Sequence, residues 1–196
     1  MTQSKKAAGK TSKGSATRER IVDAARRKLV KQGIEQFGMR ELADSLDMKL
    51  GNLQYYFKTR EDLLFHLFRA EAAWDLSLIQ SQEKNDAPPK DVFRSIVKDL
   101  VIRWRGDGGI LFSTLGTLAQ HNLTYRKLYR EVYKNFYAAL ENPVRQLNPS
   151  LSDEEVSLRV RLVTALVDGS PMQVQVGDTQ AYLSAVQAEA ELIACR

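Results

Sequence analysis

One run of twenty residues, 39–58, limits what this chain can fold into more than any other part of its sequence. It predicts two short helices joined by a tight turn. Such a helix-turn-helix needs apolar residues on the facing sides of both helices, a small residue where they touch, and a turn residue that tolerates positive φ. The run supplies these at the apolar positions Leu42, Leu46, Met48, Leu53 and Tyr56, at the small residue Ala43 and at the turn residue Asp47. Asp47 departs from the preferred glycine, but aspartate tolerates the left-handed conformation better than most side chains.

The second of these helices carries a polar face that an ordinary helical hairpin in a protein core would not need. Its first turns present Lys49, Leu50, Gly51 and Asn52, and Gln54 and Tyr55 follow one turn later. Asn and Gln side chains can pair bidentately with adenine, and lysine can reach guanine or phosphate. Gly51 permits close approach to a backbone, and the hydroxyls of Tyr55 and Tyr56 can bind phosphate. These features favour a DNA-reading helix over the core hairpin.

Three cations stand at the starts of helices that flank this motif. Arg40 begins the first helix of the pair, and Lys58 and Arg60 surround the start of the next predicted helix. A cation at a helix N-terminus opposes the helix dipole, whereas a phosphate bound there would reverse the sign of that interaction. Each charge taken alone also fits a solvated surface group. Together they predict a phosphate backbone outside this part of the fold.

The charge of the chain is unevenly distributed. Residues 1–60 carry 14 Lys and Arg against 6 Asp and Glu, while the remaining residues carry 15 against 18, for a total of +5 over 196 residues. A basic N-terminal third on a slightly acidic body is typical of a polyanion-binding module attached to another domain. The alternative is a disordered lysine-rich tail on a neutral domain. Residues 1–15 have no apolar period and are predicted to form a disordered basic arm, which would either follow DNA or remain solvated.

Several classes of protein are disfavoured by the sequence. The sequence has no run of 18 apolar residues that would indicate a membrane span, and its polar N-terminus lacks the apolar region of a secretory signal. A lone cysteine, Cys195, suits a reducing cytoplasm. His66 and His121 have no metal-ligand pattern around them, and there is no nucleophile elbow, phosphate loop or pair of catalytic carboxylates. We therefore expect a cytoplasmic protein that is not an enzyme and has no cofactor or metal.

Apolar periodicity predicts an all-α chain of about nine helices. Their predicted ranges are 16–32, 39–45, 49–57, 59–82, 90–105, 110–120, 123–147, a helix from Ser152 to the break at 168–171, and 178–194. Gly33 suits the position after a helix end, Thr59 suits a helix N-cap, and Ser152 with Glu155 forms a capping box. Residues 106–109 are predicted to form a loop, and Pro143 to kink or shorten its helix.

Residues 18–64 resemble the DNA-binding domain of the TetR family of transcriptional regulators. The family's run of motifs is met by Gly33-Ile34, Arg40-Glu-Leu-Ala43, Gly51-Asn-Leu-Gln54, Phe57, Arg60 and Leu63. Three positions depart from it: Gln54 replaces a phosphate-contacting tyrosine, Gly38 replaces a Ser or Thr cap, and Asp47 replaces the turn glycine. Beyond residue 65 the resemblance is one of architecture only.

This resemblance implies an N-terminal three-helix domain at 16–64, whose third helix enters the major groove, and a helical ligand-binding and dimerisation domain at 65–196. The residues expected at the DNA are Gly38, Met39, Arg40, Lys49, Leu50, Gly51, Asn52, Gln54, Tyr55, Tyr56, Lys58 and Arg60. Among these, Lys49, Asn52 and Gln54 are expected to choose the sequence. Arg40, Tyr55, Tyr56, Lys58 and Arg60 are expected mainly to hold phosphates.

For the body, the resemblance implies a ligand cavity within helices 5–7 and a dimer interface formed by the last two helices. Candidate pocket residues, each with core packing as the alternative, are Arg103, Trp104, Phe112, His121, Tyr125, Tyr129, Phe136, Asp168 and Met172. Candidate dimer residues are Val156, Val160, Val163, Val167, Leu183, Val186, Ala190 and Ile193.

The leading hypothesis is a homodimeric regulator of transcription, a repressor that binds double-stranded operator DNA and releases it when a small-molecule effector of unknown identity enters the C-terminal domain. A constitutive dimeric DNA-binding protein without an effector is the second hypothesis. A helical enzyme or protein-interaction module with an incidental hairpin is the third.

Overall fold

The computed structural model describes residues 4–177 and 180–196, with side chains described for all of these except residues 4–13, 174 and 175. The described residues form ten α-helices and no strand, so the all-α prediction is confirmed. The helices are α1 Ser4–Gln32, α2 Met39–Ser45, α3 Leu50–Tyr56, α4 Arg60–Glu83, α5 Pro89–Arg105, α6 Asp107–His121, α7 Leu123–Leu147, α8 Asp153–Asp168, α9 Ser170–Val176 and α10 Gln180–Cys195. The additional helix is α9, which begins at Ser170, within the break predicted at 168–171.

The first helix extends further towards the N-terminus than the sequence predicted. It begins at Ser4 rather than Ala16, so most of the arm expected to be disordered is helical, and residues 1–3 of that arm lie outside the described residues. The stretch contains no proline, and its alanines and lysines are good helix formers, so a helix formed further along can propagate through it. The predicted start of the last helix, Asp178, lies outside the described residues; α10 begins at Gln180 and ends at Cys195, one residue beyond the predicted end.

The chain divides into two compact units, one ending at Phe68 and the other beginning at Arg69. The first contains α1, α2, α3 and the start of α4. Apolar side chains from all four of these segments are fully or almost fully buried in its core: Ile21, Ala25, Leu29, Phe37, Leu42, Leu53, Phe57, Leu63, Leu64 and Leu67. Since α2 and α3 each have seven residues, they are too short to be stable alone and depend on this core.

Two backbone positions with positive φ shape the first unit as predicted. Gly33 follows the end of α1 with a φ of 77°, and its N–H donates to Leu29 O at 2.9 Å. Asp47 stands in the turn between α2 and α3 with a φ of 53°. The N–H of Met48 then donates to Ala43 O at 3.0 Å, which closes the turn. The sequence prediction that Asp47 takes the place of the turn glycine is therefore confirmed.

The start of α4 is fixed by a reciprocal pair of hydrogen bonds. The N–H of Asp62 donates to Thr59 Oγ1 at 3.0 Å, and the N–H of Thr59 donates to Asp62 Oδ2 at 3.2 Å. The predicted N-cap at Thr59 is confirmed, and the acidic residues Glu61 and Asp62 lie in the first turn, where they complement the helix dipole.

In the second unit α5 is the central helix, packed against α6, α7, α8, α9 and α10. Its apolar stripe is buried, with Phe93, Ile96, Val97, Leu100 and Val101 at most 1% exposed. The helices α7 and α8 and the helices α8 and α10 also pack on each other. Within the described residues, no helix combines the length and the apolar character needed to cross a membrane.

The glycine-rich segment between α5 and α6 is not the loop that the sequence predicted. Only Gly106 separates the two helices, and Asp107, Gly108 and Gly109 form the first turn of α6. A Cβ atom at Gly109 would lie 1.9 Å from Trp104 O and 2.6 Å from Pro171 Cγ. The glycine therefore permits the close approach of α5 and α9 to the beginning of α6, rather than a flexible connection.

Helix caps in the rest of the second unit follow the sequence closely. Ser152 and Glu155 form the predicted capping box, with Ser152 N–H donating to Glu155 Oε2 at 2.8 Å and Glu155 N–H donating to Ser152 Oγ at 3.3 Å. Asn122 caps α7 by accepting from Thr124 N–H at 2.8 Å. The predicted range of 123–147 is confirmed, so Pro143 does not shorten α7, and the alternative of a kink at Pro143 stays a prediction.

Candidate nucleic-acid interface and internal cavity

The exposed side of α3 consists of polar and small residues. Lys49, Asn52, Gln54 and Tyr55 are exposed, and Tyr55 is 83% exposed although it is a large aromatic residue. Their neighbour Leu53 is fully buried and anchors the helix to the core. The helix therefore presents one lysine, two carboxamides and a phenol on a single short surface, which is the set of donors and acceptors that reads base edges.

Gly51 leaves an open place on this surface. A Cβ atom built at Gly51 would have no atom of the described chain within 4 Å, so packing does not require glycine here. Its φ is also an ordinary helical value, since it is absent from the positive-φ glycines of the described residues. What glycine provides at this position is clearance for a molecule that approaches α3 from outside.

Two of the predicted phosphate-binding cations are exposed. Arg40 and Lys58 lie at the surface of the first unit, and the described residues give neither of them an ion-pair partner. Tyr56 is half-buried and meets the ring of Tyr55 edge to face, with centroids 5.2 Å apart. The sites predicted at Met39 and Leu50 are half-buried, so their backbones and part of their side chains remain accessible.

Arg60 has a structural role that the sequence did not reveal. Its Nε donates to Phe37 O at 2.9 Å, its Nη2 donates to Ile34 O at 2.7 Å, and its guanidinium lies over the Phe37 ring at 5.8 Å. These contacts hold the connector between α1 and α2 against the start of α4. Arg60 therefore has a structural role beside the predicted phosphate contact, which stays a prediction, since two of its five N–H donors are used here.

Gly38 has no side chain with which to cap α2, and none of the described side chains replaces it. Instead the carboxylate of Glu41 folds back over this position, so that a Cβ atom at Gly38 would lie 1.9 Å from Glu41 Oε2. One contact in the same unit was missed: the guanidinium of Arg18 on α1 lies 4.5 Å from the centroid of the Phe57 ring. Sequence periodicity could not have found it, because the two residues are far apart along the chain.

A cavity lies inside the second unit, among α4, α5, α6 and α7. In its present shape it has room for about one water molecule. Its walls are mostly apolar, and its lining residues are Ala72, Asp75, Leu76, Trp104, Phe112, Val132, Tyr133 and Phe136. Trp104 and Phe112 stack in parallel with centroids 4.7 Å apart, and Phe136 lies 6.3 Å from Trp104.

Three of the predicted pocket residues line this cavity, namely Trp104, Phe112 and Phe136, and others do not. His121 is exposed at the end of α6, and Met172 is 70% exposed on the short helix α9. Tyr125 is buried by the core near the start of α7 rather than by the cavity. These three residues are removed from the candidate site because none of them lines the cavity. Apolar periodicity alone does not define which way a side chain faces near the end of a helix.

Arg103, the predicted polar anchor, is not among the lining residues of the cavity, but its guanidinium pairs with Asp75, which is. Its Nη2 donates to Glu71 Oε2 at 2.6 Å, and its Nε pairs with Asp75 Oδ1. The guanidinium also lies 4.9 Å from the Trp74 ring. The charged group that reaches the cavity is therefore Asp75, which is 1% exposed and was not predicted. Only the packing of α4 on α5 brings these groups together.

A second buried carboxylate lies behind Tyr133. Tyr133 lines the cavity and its hydroxyl donates to Asp168 Oδ2 at 2.8 Å, whereas Asp168 is not among the lining residues. Burial raises the pKa of Asp168 to about 7, against the opposing effect of the Tyr133 hydrogen bond. Burial also raises the pKa of Asp75 to about 6, although Arg103 opposes that rise. Tyr129, the remaining predicted pocket residue, packs on Tyr133 with centroids 4.4 Å apart.

The residues predicted to form a dimer interface are mostly part of the second unit's own core. The core positions are Val156, Val160, Val163, Val167, Leu183, Val186 and Ala190, all at most 7% exposed, while Ile193 is half-buried. The correction follows from the two apolar rows of α8, since the valine row packs inward and the second row faces outward. Leu158 and Leu162 of that second row are 58% and 48% exposed, and Leu192 of α10 is 44% exposed.

Comparison with known proteins identifies the first unit most clearly. Residues 21–67 match the family described as bacterial regulatory proteins, tetR family. The fatty acid metabolism regulator protein of Bacillus subtilis (strain 168) is 25% identical to this chain over 150 residues, which cover 76% of this chain and 77% of that protein. The similarity therefore extends beyond the helix-turn-helix and into the second unit.

Solved structures share the fold along most of the chain. A TetR transcription regulator from Haloarcula marismortui superposes with a TM-score of 0.77 at 17% identity, covering 92% of this chain and 97% of that one. A transcriptional regulator from Saccharomonospora viridis, determined in complex with choline, gives 0.72 at 19% identity, covering 90% and 94%. A TetR transcriptional regulator from Legionella pneumophila gives 0.76 at 14% identity, covering 90% and 96%. At these identities the likeness concerns the fold alone.

Proposed function

This chain belongs to the TetR family of DNA-binding transcriptional regulators, and we propose that it is a homodimeric repressor which leaves its operator when a small molecule enters the second unit. It is a regulator rather than an enzyme, and the Bacillus subtilis relative is likewise named a regulator protein. Its place of action is the cytoplasm, where bacterial DNA lies.

The observation that carries the DNA-binding part of the proposal is the surface of α3. Lys49, Asn52 and Gln54 are exposed on a helix whose buried side fixes its orientation, and Gly51 leaves clearance among them. We assign these side chains to base edges in the major groove, and Arg40, Tyr55, Tyr56 and Lys58 to phosphates. Gly38, Met39 and Leu50 complete the surface through backbone and partly exposed side-chain atoms.

A DNA-binding measurement tests this assignment. The full-length chain is titrated, at several salt concentrations, into fluorescent duplexes from the region upstream of its own gene and into a scrambled duplex. The double variant Arg40→Ala/Lys49→Ala should lose most of the affinity, whereas Lys84→Ala/Lys127→Ala, which removes two exposed cations from the second unit, should retain it. No preference for any upstream duplex over the scrambled one, even at low salt, would refute a sequence-specific regulator.

A glycine substitution separates DNA contact from folding. Gly51→Ala adds one methyl group that meets no atom of the described chain, and alanine favours a helix over glycine by about 0.5–1 kcal/mol. The variant should therefore fold at least as well as the natural protein and yet bind operator DNA more weakly, because the methyl group fills the clearance on α3. Unchanged DNA affinity would mean that α3 does not approach the backbone at this residue.

The homodimer is proposed from the outward apolar row. Leu158 and Leu162 on α8, with Leu192 on α10, leave an apolar surface that a second copy would cover. A two-fold dimer would present one α3 helix to each half of a near-palindromic operator. The two half-sites would then lie about one turn of the DNA helix, or a whole number of turns, apart.

The effector is proposed to occupy the cavity among α4, α5, α6 and α7. Trp104, Phe112 and Phe136 provide an apolar lining and Asp75 provides a charged group, the combination usual in small-molecule sites. The relative's name makes fatty-acid-derived molecules one class to test, and the choline complex of the Saccharomonospora protein makes small amines another. Loss of operator binding on addition of such a compound is the expected response.

A constitutive dimeric DNA-binding protein without an effector is the second candidate. The small size of the cavity favours it, because room for about one water is far below the roughly 300–1,000 Å³ of typical ligand pockets. A screen of amines, fatty acids and their thioesters in the DNA titration distinguishes the two. If none of them changes operator affinity, the constitutive function is favoured, and a clear loss of affinity with any one excludes it.

A further inference from the structure

The carboxylate of Asp75 reaches the cavity with one oxygen unused. Its Oδ1 pairs with Arg103, while its Oδ2 is inaccessible to solvent and makes no direct hydrogen bond among the described residues; the indole N–H of Trp104, also unpaired, lies close enough to oppose the rise in the pKa of Asp75. The side chain as a whole is 1% exposed. Buried carboxylate oxygens are normally satisfied, and leaving one unpaired carries a free-energy cost, which is larger for a charged group. A molecule in the cavity that donates an N–H to this oxygen would remove that cost.

The charges around the cavity are not balanced. Glu71 and Asp75 share the single guanidinium of Arg103, and Asp168 lies behind Tyr133 with its Oδ1 unpaired within the described residues. The carboxylates of Asp75 and Asp168 are close enough to disfavour each other's charge. Two carboxylates, those of Asp75 and Asp168, therefore lie near the guanidinium of Arg103 in a low-dielectric interior, where an added cation is attracted and an added anion is repelled.

The aromatic walls favour a cation on an apolar body. Trp104 and Phe112 form a parallel stack at 4.7 Å, and the Phe136 ring lies tilted at 47° and 6.3 Å from Trp104. The electron-rich faces of such rings attract organic cations, most strongly where water is excluded. Flat apolar groups also pack well against them.

We infer that the effector of this protein is a protonated primary or secondary amine carried on a small flat apolar body, with its ammonium N–H groups donated to Asp75 Oδ2 and its body against Trp104 and Phe136. The inference rests on the proposal that this cavity is the effector site. It gives that site a chemical class and disfavours fatty acids, whose carboxylate would add to the negative charge already present.

Two further features agree with this assignment. The pKa of Asp75 stays raised, to about 6, because burial outweighs the attraction of Arg103, so the guanidinium leaves part of the carboxylate's charge uncompensated. The cavity is also small, with room for about one water molecule in its present shape, so it limits the apolar body to a single ring with a one-carbon ammonium arm, which enters as the lining side chains move apart. A much larger body would need the helices to separate.

Four matched probes test the chemical class: benzylammonium, neutral benzyl alcohol, anionic benzoate, and benzyltrimethylammonium, which has charge but no N–H. Binding to the full-length chain is measured by calorimetry and by the fluorescence of Trp104 in a Trp74→Phe variant, since the chain has 2 tryptophans. Benzylammonium should bind at least about tenfold more tightly than each of the others, as expected for hydrogen bonds between charged groups. Equal or tighter binding of benzyl alcohol or benzoate would overturn the inference.

A substitution of Asp75 provides the second part of the binding test. Asp75→Asn should weaken benzylammonium binding at least about tenfold and leave benzyl alcohol unchanged, while Glu141→Gln, which removes an exposed acid from α7, should leave both unchanged. If Asp75→Asn does not fold, the inference is decided by the affinities of the four probes for the Trp74→Phe protein alone. Equal benzylammonium binding by folded Asp75→Asn would overturn the assignment of this oxygen.

The DNA titration separates this inference from the proposed function. If benzylammonium does not bind but octanoate or an acyl thioester binds and releases the operator, the protein is an effector-responsive regulator and the amine assignment is wrong. If benzylammonium binds at Asp75 without any effect on operator affinity, the amine site stands and its regulatory role fails. If no probe binds, the amine inference is overturned whatever the DNA result.

Discussion

Lys58 and Arg60 are cations two positions apart whose surroundings give them different roles. Arg60 donates two hydrogen bonds to the carbonyls of Ile34 and Phe37, whereas Lys58 is exposed. Arg60→Ala should therefore lower the free energy of unfolding by about 1.5–3 kcal/mol, the usual value of charged hydrogen bonds at a partly buried site. Urea denaturation followed by circular dichroism measures this loss.

Lys58→Ala is the matched change, and it should leave stability within about 0.5 kcal/mol of the natural protein. It should weaken binding to every DNA sequence about equally and reduce the slope of log affinity against log salt by about 1, as expected for one lost phosphate contact. The reverse outcome, with Lys58→Ala unstable and Arg60→Ala stable but deficient in DNA binding, would show that the two roles have been exchanged.

Asp168 makes the stability of the second unit depend on pH. Because burial raises its pKa to about 7, its contribution is fully present below the pKa of an unfolded aspartate and is lost as pH rises through about 7. Asp168→Asn keeps an acceptor for Tyr133 but cannot ionise. It should therefore be more stable than the natural protein at pH 8, and this advantage should shrink by on the order of 2 kcal/mol at pH 5.

Unfolding in urea at both pH values measures that difference. Asp86→Asn is the control, since Asp86 is exposed and its replacement should change stability equally at pH 5 and pH 8. An advantage of Asp168→Asn that is larger at pH 5 than at pH 8 would have the wrong sign for a buried carboxyl with a raised pKa.

At the scale of the element, the first turn of α6 depends on a single glycine. A Cβ atom at Gly109 would lie 1.9 Å from Trp104 O, a backbone atom that cannot move without shifting the end of α5. Gly109→Ala should therefore destabilise the protein by about 1–3 kcal/mol, despite the better helix propensity of alanine. The midpoint of thermal unfolding should fall by several degrees.

Gly116→Ala in the same helix is the matched control. Its Cβ atom would lie 3.6 Å from Tyr129 Cε2, an ordinary contact, so alanine should be tolerated or stabilising there. If both variants were equally stable, α6 would begin after Gly109, as the sequence alone had suggested.

The helix ends and turns that could be predicted from the sequence are those set by residues close to one another along the chain. Thr59, Gly33 and Asp47 each act within a few residues of their own position, so their caps and turn were predicted and are confirmed. Residues 106–109 were predicted to form a loop because glycine propensity is also local, whereas the close packing of α5 and α9 that requires glycine at position 109 is tertiary. Tertiary contacts decide such positions, and one sequence does not contain them.

The same limit explains what was missed at the candidate sites. Asp75 is an ordinary acidic residue in a helical pattern until α5 places Arg103 beside it and Trp104 next to the cavity. Arg60 likewise looks like a surface cation until its guanidinium is seen between Ile34 and Phe37. By contrast, the exposed face of α3 could be predicted, since the periodicity that buries Leu53 also turns Asn52 and Gln54 outward.

At the scale of the whole molecule, the arrangement of α8 decides how two copies would meet. The sequence shows two apolar rows on this helix and does not say which one is internal. Val160 and Val163 are at most 1% exposed, so the valine row belongs to the core of the second unit, and Leu158 and Leu162 are left at the surface. A dimer formed through the leucine row would leave the core of each copy unchanged.

Replacing the two exposed leucines therefore separates assembly from folding. Leu158→Asp/Leu162→Asp should unfold at nearly the same urea concentration as the natural protein at the same low protein concentration, yet sediment as a monomer, because like charges would face each other across the two-fold axis. Leu123→Asp, which charges another exposed leucine (70% exposed), should sediment as the natural protein does. The monomer should lose at least about a hundredfold in affinity for a palindromic operator and much less for a half-site, since only the dimer contacts both halves at once. A double variant that still sediments as a dimer would place the interface elsewhere on the second unit.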